Sequence, residues 1–272
     1  MFGAIYGDII GSYYETHCTK DYNFEFQRES TFTDDSILTA ATCKAILLNP
    51  QPISIFDIKK RALEYAVQYK QYYSYFPYAG YGAMFSKWAK GKEYMTRQHS
   101  YGNGGAMRVV PIGYAYSSLK QVCIQAKASC LYTHHNKKAI RGAKAVASAV
   151  WLANQQSSKQ QIKDYIEKNF HYQLDASIAF LRSDYVFDSS TDYSVPAAIT
   201  AFLDSSNYES AVRNAVSLGG DADTLACIAG GIAEAFYREI PEHIKSFCSS
   251  RLDYSIRSVV KEFYHCYCKY IL

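Results

Sequence analysis

Residues 222–237 read ADTLACIAGGIAEAFY, and this run decides the fold class. Its apolar residues recur three or four apart, which is the period of a helix and not of a strand. Alanine and glycine dominate it, so neighbouring helix axes can come close. The run at 142–153, GAKAVASAVWLA, has the same character. Both predict inner helices wrapped by more polar ones. Helical periodicity also marks 54–70 (SIFDIKKRALEYAVQYK), 136–154 (NKKAIRGAKAVASAVWLAN) and 157–170 (SSKQQIKDYIEKNF). No comparable alternating strand pattern appears. The expectation is all-α: one many-helix orthogonal bundle over residues 1–272, with a helical tail at 241–272.

Turn chemistry places the breaks at NPQPIS (49–54), in the tyrosine-rich segment ending at Pro77, at SYGNGG (100–105), around VFDSSTDYSVP (186–196) and at LGGDAD (218–223). None reads as an interdomain linker, and there is no repeat. Hydrophobic residues make up 49% of the 272 and charged ones 20%, which is globular composition. No apolar run reaches the roughly 18 to 20 residues that span a bilayer. The net charge of +4 is small and scattered, so nucleic acid is not indicated as a partner. The opening MFGAIYGDIIGSYYE lacks a basic leader and carries Asp8 in its middle, so it reads as a first core helix. Eight cysteines without disulfide spacing suit reduced thiols, and the expected compartment is the cytoplasm.

Two acidic groups stand at predicted helix starts. Thr33, Asp34 and Asp35 open the run FTDDSILTAA (32–41), and Asp221, Asp223 and Thr224 open SLGGDADTLACIAGG (217–231). Capping accounts for either one alone, since carboxylates and hydroxyls accept from free N–H groups there. Taken together they also form an all-oxygen donor set for hard cations such as Mg²⁺ or Mn²⁺. The glycine-rich 100–109, SYGNGGAMRV, precedes a predicted helix holding Met107 and Arg108, and its backbone amides suit a pyrophosphate. It lacks the Lys-Ser/Thr ending of a P-loop. Adjacent His134 and His135 point about 100° apart on a helix, which argues against zinc. Cys266 and Cys268 read as ordinary thiols of a terminal helix.

The motifs GAIYGDIIGSYYE (3–15), FTDDS (32–36), SYGNGGAMRVVPIG (100–113), LYTHHN (131–136), SVPAAITAFL (194–203) and SLGGDADTLACIAGGIAEAFY (217–237) follow the order seen in the ADP-ribosylglycohydrolase family. The chain resembles that family from Gly3 to Tyr237, and the tail from 241 onward carries no motif of it. The resemblance implies a compact all-α fold and a binuclear Mg²⁺ site, with Mn²⁺ as a substitute. It implies cleavage of the bond between C1″ of ADP-ribose and an acceptor on a protein or small molecule. Thr33, Asp34, Asp35, Asp221, Asp223 and Thr224 would be metal ligands. Glu15, at the end of GSYYE, resembles the serine-ADP-ribose hydrolase branch, where the matching glutamate is a ligand that gates substrate entry. Ser100, Tyr101, Gly102, Asn103 and Gly104 would receive the pyrophosphate and riboses, and His134 the adenosine side. Asp34, Asp35 and Asp221 are the residues expected to position or deprotonate water, with the base left open among them.

Two departures bear on the acceptor side. HNKKA (135–139) stands where many bacterial relatives have a proline after Thr-His, and TDYSVPAAI (191–199) replaces a stretch that often carries Cys-Gln-Gly. Isoprenoid synthases are a rival all-helical class, but DDSIL lacks the further carboxylate one turn on. The other rival is an inactive ADP-ribose-binding or immunity protein, against which every expected metal position is filled.

Overall fold

The computed structural model describes residues 1–92 and 96–268, and among them fourteen α-helices follow in order. They are α1 (Phe2–Thr16), α2 (Asp34–Leu48), α3 (Ile58–Tyr75), α4 (Ala83–Lys90), α5 (Val110–Ala115), α6 (Leu119–Cys130) and α7 (Lys137–Asn154). Then come α8 (Lys159–Phe170), α9 (Ile178–Asp184), α10 (Thr191–Leu203), α11 (Tyr208–Val216), α12 (Ala222–Tyr237), α13 (Glu242–Ser249) and α14 (Tyr254–Tyr267). Short 3-10 turns sit at Ile55–Asp57 and Asn103–Gly105. The all-α architecture expected from the sequence is the one observed.

The core forms around α12, which is buried without a break from Ala222 to Ala235 and packs on α1, α7, α10 and α11. A helix apolar on all sides can only be an interior one. Its tightest neighbour is α1. Gly3, Gly7 and Gly11 recur every four residues and therefore share one face of that helix. A Cβ added to Gly7 would stand 2.1 Å from the Ala226 carbonyl oxygen, and one on Gly11 would stand 2.4 Å from that of Ala222. Only hydrogen fits there. Gly3 meets Gly230, Gly7 meets Ala226 and Gly11 meets Ala222, so the two helices run antiparallel. Glu15, one turn past Gly11, is thereby carried to the N-terminal end of α12.

Side chains cap several of the helix starts. Thr33 caps α2 by accepting from Asp35 N, Asn136 caps α7, and Ser158 with Gln161 closes a capping box on α8. Three details differ from the sequence reading. Met107 and Arg108 lie in a turn before α5, not in a helix, because Asn103–Gly105 winds as a single 3-10 turn that does not propagate. The break around 186–196 ends at Ser190, and Thr191 through Pro196 is already helical. Thr191 fixes that start by bonding the Tyr101 and Gly102 carbonyls, and buried Val195, Ala198 and Ile199 hold the turn despite Pro196. The tyrosine-rich break begins later than expected, since α3 continues to Tyr75 on buried Tyr69, Tyr72 and Tyr73.

Candidate active site

A cleft of about 370 Å³ opens where the N-termini of α2 and α12 meet the C-terminal end of α1. Glu15, Asp34, Asp35, Asp221, Asp223 and Thr224 line one side of it, and Ser100, Gly102, Asn103, Gly104, Arg108 and His134 line the other. The sequence-predicted residues thus converge, with two exceptions of orientation. The Tyr101 side chain is outside the lining and largely exposed, its carbonyl accepting from Thr191. Thr33 also stands behind the cleft surface, its hydroxyl donating 2.7 Å to Asp8 Oδ1 and lying 3.4 Å from Asp223 Oδ2.

Asp8 is the residue that sequence reasoning missed. It is fully buried on α1 and accepts from Thr33 N at 3.0 Å, from Ser36 N at 3.1 Å and from both the Thr33 and Ser36 hydroxyls. A carboxylate in the middle of an otherwise apolar, glycine-spaced helix was the available signal. Those four bonds clamp the first turn of α2 to α1, and the positive end of the helix dipole favours the charge. Even so, burial pushes the Asp8 carboxyl up to about 6.

Carboxylate oxygens of Asp8, Asp35 and Asp223 lie within 4.8 Å of one another, and so do those of Glu15, Asp221 and Asp223. Asp223 belongs to both groups. Hydrogen bonding distinguishes their members. Asp8 accepts four hydrogen bonds, three of them on Oδ2, whereas Asp35 Oδ1 is buried and has no hydrogen-bond partner. A buried carboxylate oxygen left unbonded is costly unless a cation meets it. Asp35 Oδ2 accepts from Thr224 Oγ1 at 3.3 Å, and Asp221 Oδ2 accepts from Asn103 Nδ2 at 2.7 Å. Asp221 makes no side-chain cap, which removes the bland reading for that residue.

Burial first, and then the neighbouring carboxylates, holds Asp34, Asp35 and Asp223 well above the ordinary carboxylate range. Glu15 is raised by the same causes, although its side chain is exposed. A cluster that resists being charged is one that a hard cation would stabilise, and the all-oxygen donor set fits such an ion.

Opposite the acids, the glycine loop is pinned from two directions. Asn103 N donates to Ser189 O at 2.9 Å, and Asn103 Nδ2 reaches Ser194 Oγ at 3.0 Å as well as Asp221. One asparagine therefore joins the loop to the acidic wall. His134 is buried beside the loop, and burial, with Arg108 second, holds its pKa well below the usual value. His134 and His135 form no metal group among the described residues.

All eight cysteines, Cys266 and Cys268 included, are unpaired, and no described helix is long and apolar enough to cross a membrane.

Helix ends that bring carboxylates into one cleft beside a glycine loop fit an all-helical enzyme acting on a phosphate-bearing ligand. The chain belongs to the ADP-ribosylglycohydrolase family, whose model matches residues 1–267, and it is a hydrolase of ADP-ribosyl linkages. That match takes in α13 and α14, where the short motifs had shown no resemblance. The ADP-ribosylhydrolase ARH3 of Homo sapiens is 28% identical, over 91% of this chain and 87% of that protein. The ARH3 of Xenopus tropicalis is also 28% identical, over 88% and 86%. A solved structure described as an ADP-ribosylglycohydrolase-related protein complex shares the fold, with a TM-score of 0.73 at 20% identity over 97% of this chain and 95% of that one.

Proposed function

We propose that the chain is a Mg²⁺-dependent ADP-ribosyl-acceptor hydrolase that cleaves the glycosidic bond at C1″ of ADP-ribose, using two ions. A serine-type O-linkage is favoured over an arginine N-linkage. The observation that carries the metal reading is the pair of carboxylate groups meeting at Asp223, with the buried Asp35 Oδ1 unbonded. Glu15, Asp34, Asp35, Asp221, Asp223 and Thr224 would hold the ions, and Thr33 would support them from behind. The linkage preference rests on Glu15, which lines the cleft close to Asp221 and Asp223, and on the SYGNGGAMR loop, both of which resemble the serine-type branch.

When bound, the cations supply a water of lowered pKa and offset charge as the glycosidic bond breaks. The chain's own residues do the rest. Asp8 fixes the first turn of α2, Asn103 fixes Asp221, and the loop at 102–105 offers backbone amides to the pyrophosphate. Asp34 lines the cleft, and with Asp35 and Asp221 it is one of the carboxylates that would position or deprotonate water, the base being left open among the three. The substrate is an ADP-ribosylated protein or small molecule, in a cytoplasmic setting that the unpaired cysteines suit.

The test is ADP-ribose release from serine-linked, arginine-linked and nucleic-acid-linked substrates, with and without Mg²⁺. The doubly substituted Asp34→Ala, Asp223→Ala protein serves as control. Cation-dependent release from the serine panel, lost in the control, is the expected result. No release from any panel, with ADP-ribose still bound, would point to a binding protein instead.

A further inference from the structure

Arg108 is fully buried in the turn behind the glycine loop, its guanidinium 4.0 Å from the centre of the Tyr69 ring. Its Nη2 donates to Ser129 O at 3.0 Å and to Thr133 Oγ1 at 2.6 Å. The same Thr133 oxygen lies 2.9 Å from Nδ1 of His134. An arginine can only donate, so the Thr133 oxygen accepts from it. The threonine hydroxyl has one proton, and His134 Nδ1 is the acceptor within its reach. The opposite order, with Nδ1–H donating to the oxygen, would strand a buried hydroxyl proton without a partner.

We infer that Arg108 and Thr133 form a relay, Arg108 Nη2–H to Thr133 Oγ1–H to His134 Nδ1, which fixes His134 as the Nε2–H tautomer and presents that N–H to the cleft. Arg108 and Thr133 are positioning residues for ligand binding. His134 lines the cleft, and its Nε2 makes no hydrogen bond among the described residues. The ring lies across the glycine loop: a Cβ on Gly104 would stand 3.1 Å from Nε2, and one on Gly105 would stand 3.3 Å from the ring's Cγ. The absence of side chains at 104 and 105 therefore leaves the N–H room to meet an incoming oxygen acceptor. Because the ring stays neutral, it donates without adding a charge that the facing carboxylates would capture. That the acceptor belongs to ADP-ribose rests on the function proposed above, and the tautomer does not.

The experiment is ¹⁵N NMR of the histidine imidazoles in the whole protein, with the His134 signals assigned by their loss in His134→Asn. The unaltered protein should show a pyrrole-type shift at Nε2 and a pyridine-type shift at Nδ1. Thr133→Ser should keep that pattern. Thr133→Val should lose it and bind free ADP-ribose about tenfold more weakly, with the serine variant restoring both. An Nδ1–H signature in the unaltered protein overturns the relay, as does a valine variant with unchanged tautomer and affinity. The shifts are read without turnover, so an absence of ADP-ribosyl release would count against the hydrolase reading alone.

Discussion

Gly7 of α1 and Ala226 of α12 meet backbone to backbone, leaving 2.1 Å between the Ala226 carbonyl oxygen and the place where a Cβ at Gly7 would sit. Both walls of that contact are main chain and cannot rotate away. Gly7→Val should destabilise the protein by at least the 1–3 kcal/mol typical of overpacking and should impair the cleft along with the fold. Denaturant unfolding of purified protein would show it, and unchanged stability would contradict the packing described.

Asp8 acts through the bonds that it accepts. Asp8→Asn keeps the volume but puts an N–H₂ where Oδ1 accepts from the Thr33 hydroxyl, so that bond must break or reverse and the first turn of α2 should shift. Supporting groups of this sort typically contribute 10–100-fold to metal affinity. Calorimetric titration with Mg²⁺ and Mn²⁺ should therefore show a loss of that size, with the helical content of the protein retained.

Protonation of the acidic cluster gives a signed dependence on pH. Folding raises the Asp8 carboxyl to about 6 from an unfolded value of about 3.9, chiefly by burial. In cation-free protein the native state then binds more protons than the unfolded one across that interval. Stability is fully present below the lower value and is lost as pH rises through about 6. The raised Asp34, Asp35 and Asp223 carboxyls act in the same direction. Melting in the presence of a chelator should show Tm falling with pH over this range, and added Mg²⁺ should raise Tm more at about pH 7.5 than at about pH 5. An equal gain at both would mean that the cation does not meet these carboxylates.

Asn103 couples the two walls of the cleft. Asn103→Asp replaces its donor with a further negative charge beside Asp221, so Asp221 should be displaced and the cluster made more repulsive. We expect ADP-ribosyl release to fall by about 10²-fold or more, the size seen when a positioned catalytic group is lost. The melting temperature should change little, because the loop keeps its backbone bond to Ser189. Steady-state kinetics beside a melting curve would separate the two effects.

Much of this was legible in the chain because it is written locally. The bounds of α12 follow from its alanine-glycine run, and the two acidic groups declare themselves by standing at helix starts. Asp8 was not legible. Its partners lie 25 and 28 residues away, and a lone carboxylate in an apolar helix has no meaning until that helix docks on α2. The role of Gly3, Gly7 and Gly11 likewise needs the partner helix, although their spacing of four is plain in the sequence. Arg108 was placed in a helix because glycine loops often lead into one, yet here the tight turn at Asn103–Gly105 ends after three residues. The Asn103 side chain escaped notice because a glycine-rich loop draws attention to its backbone.

The two carboxylate groups that share Asp223 differ in how each is closed off. Asp8, Asp35 and Asp223 are all buried, while the other group includes the exposed arm of Glu15. On the proposed reading, an ion seated on Asp35 would shed much of its water and would leave only when the α1, α2 and α12 junction loosens. One held in part by Glu15 would need only the swing of a single solvent-facing side chain to be released. The two groups therefore differ in access, one closed by the fold and the other bordered by a single exposed side chain. Were each group to hold a cation as proposed, brief chelation would empty the second before the first and leave a half-loaded form that retains its fold.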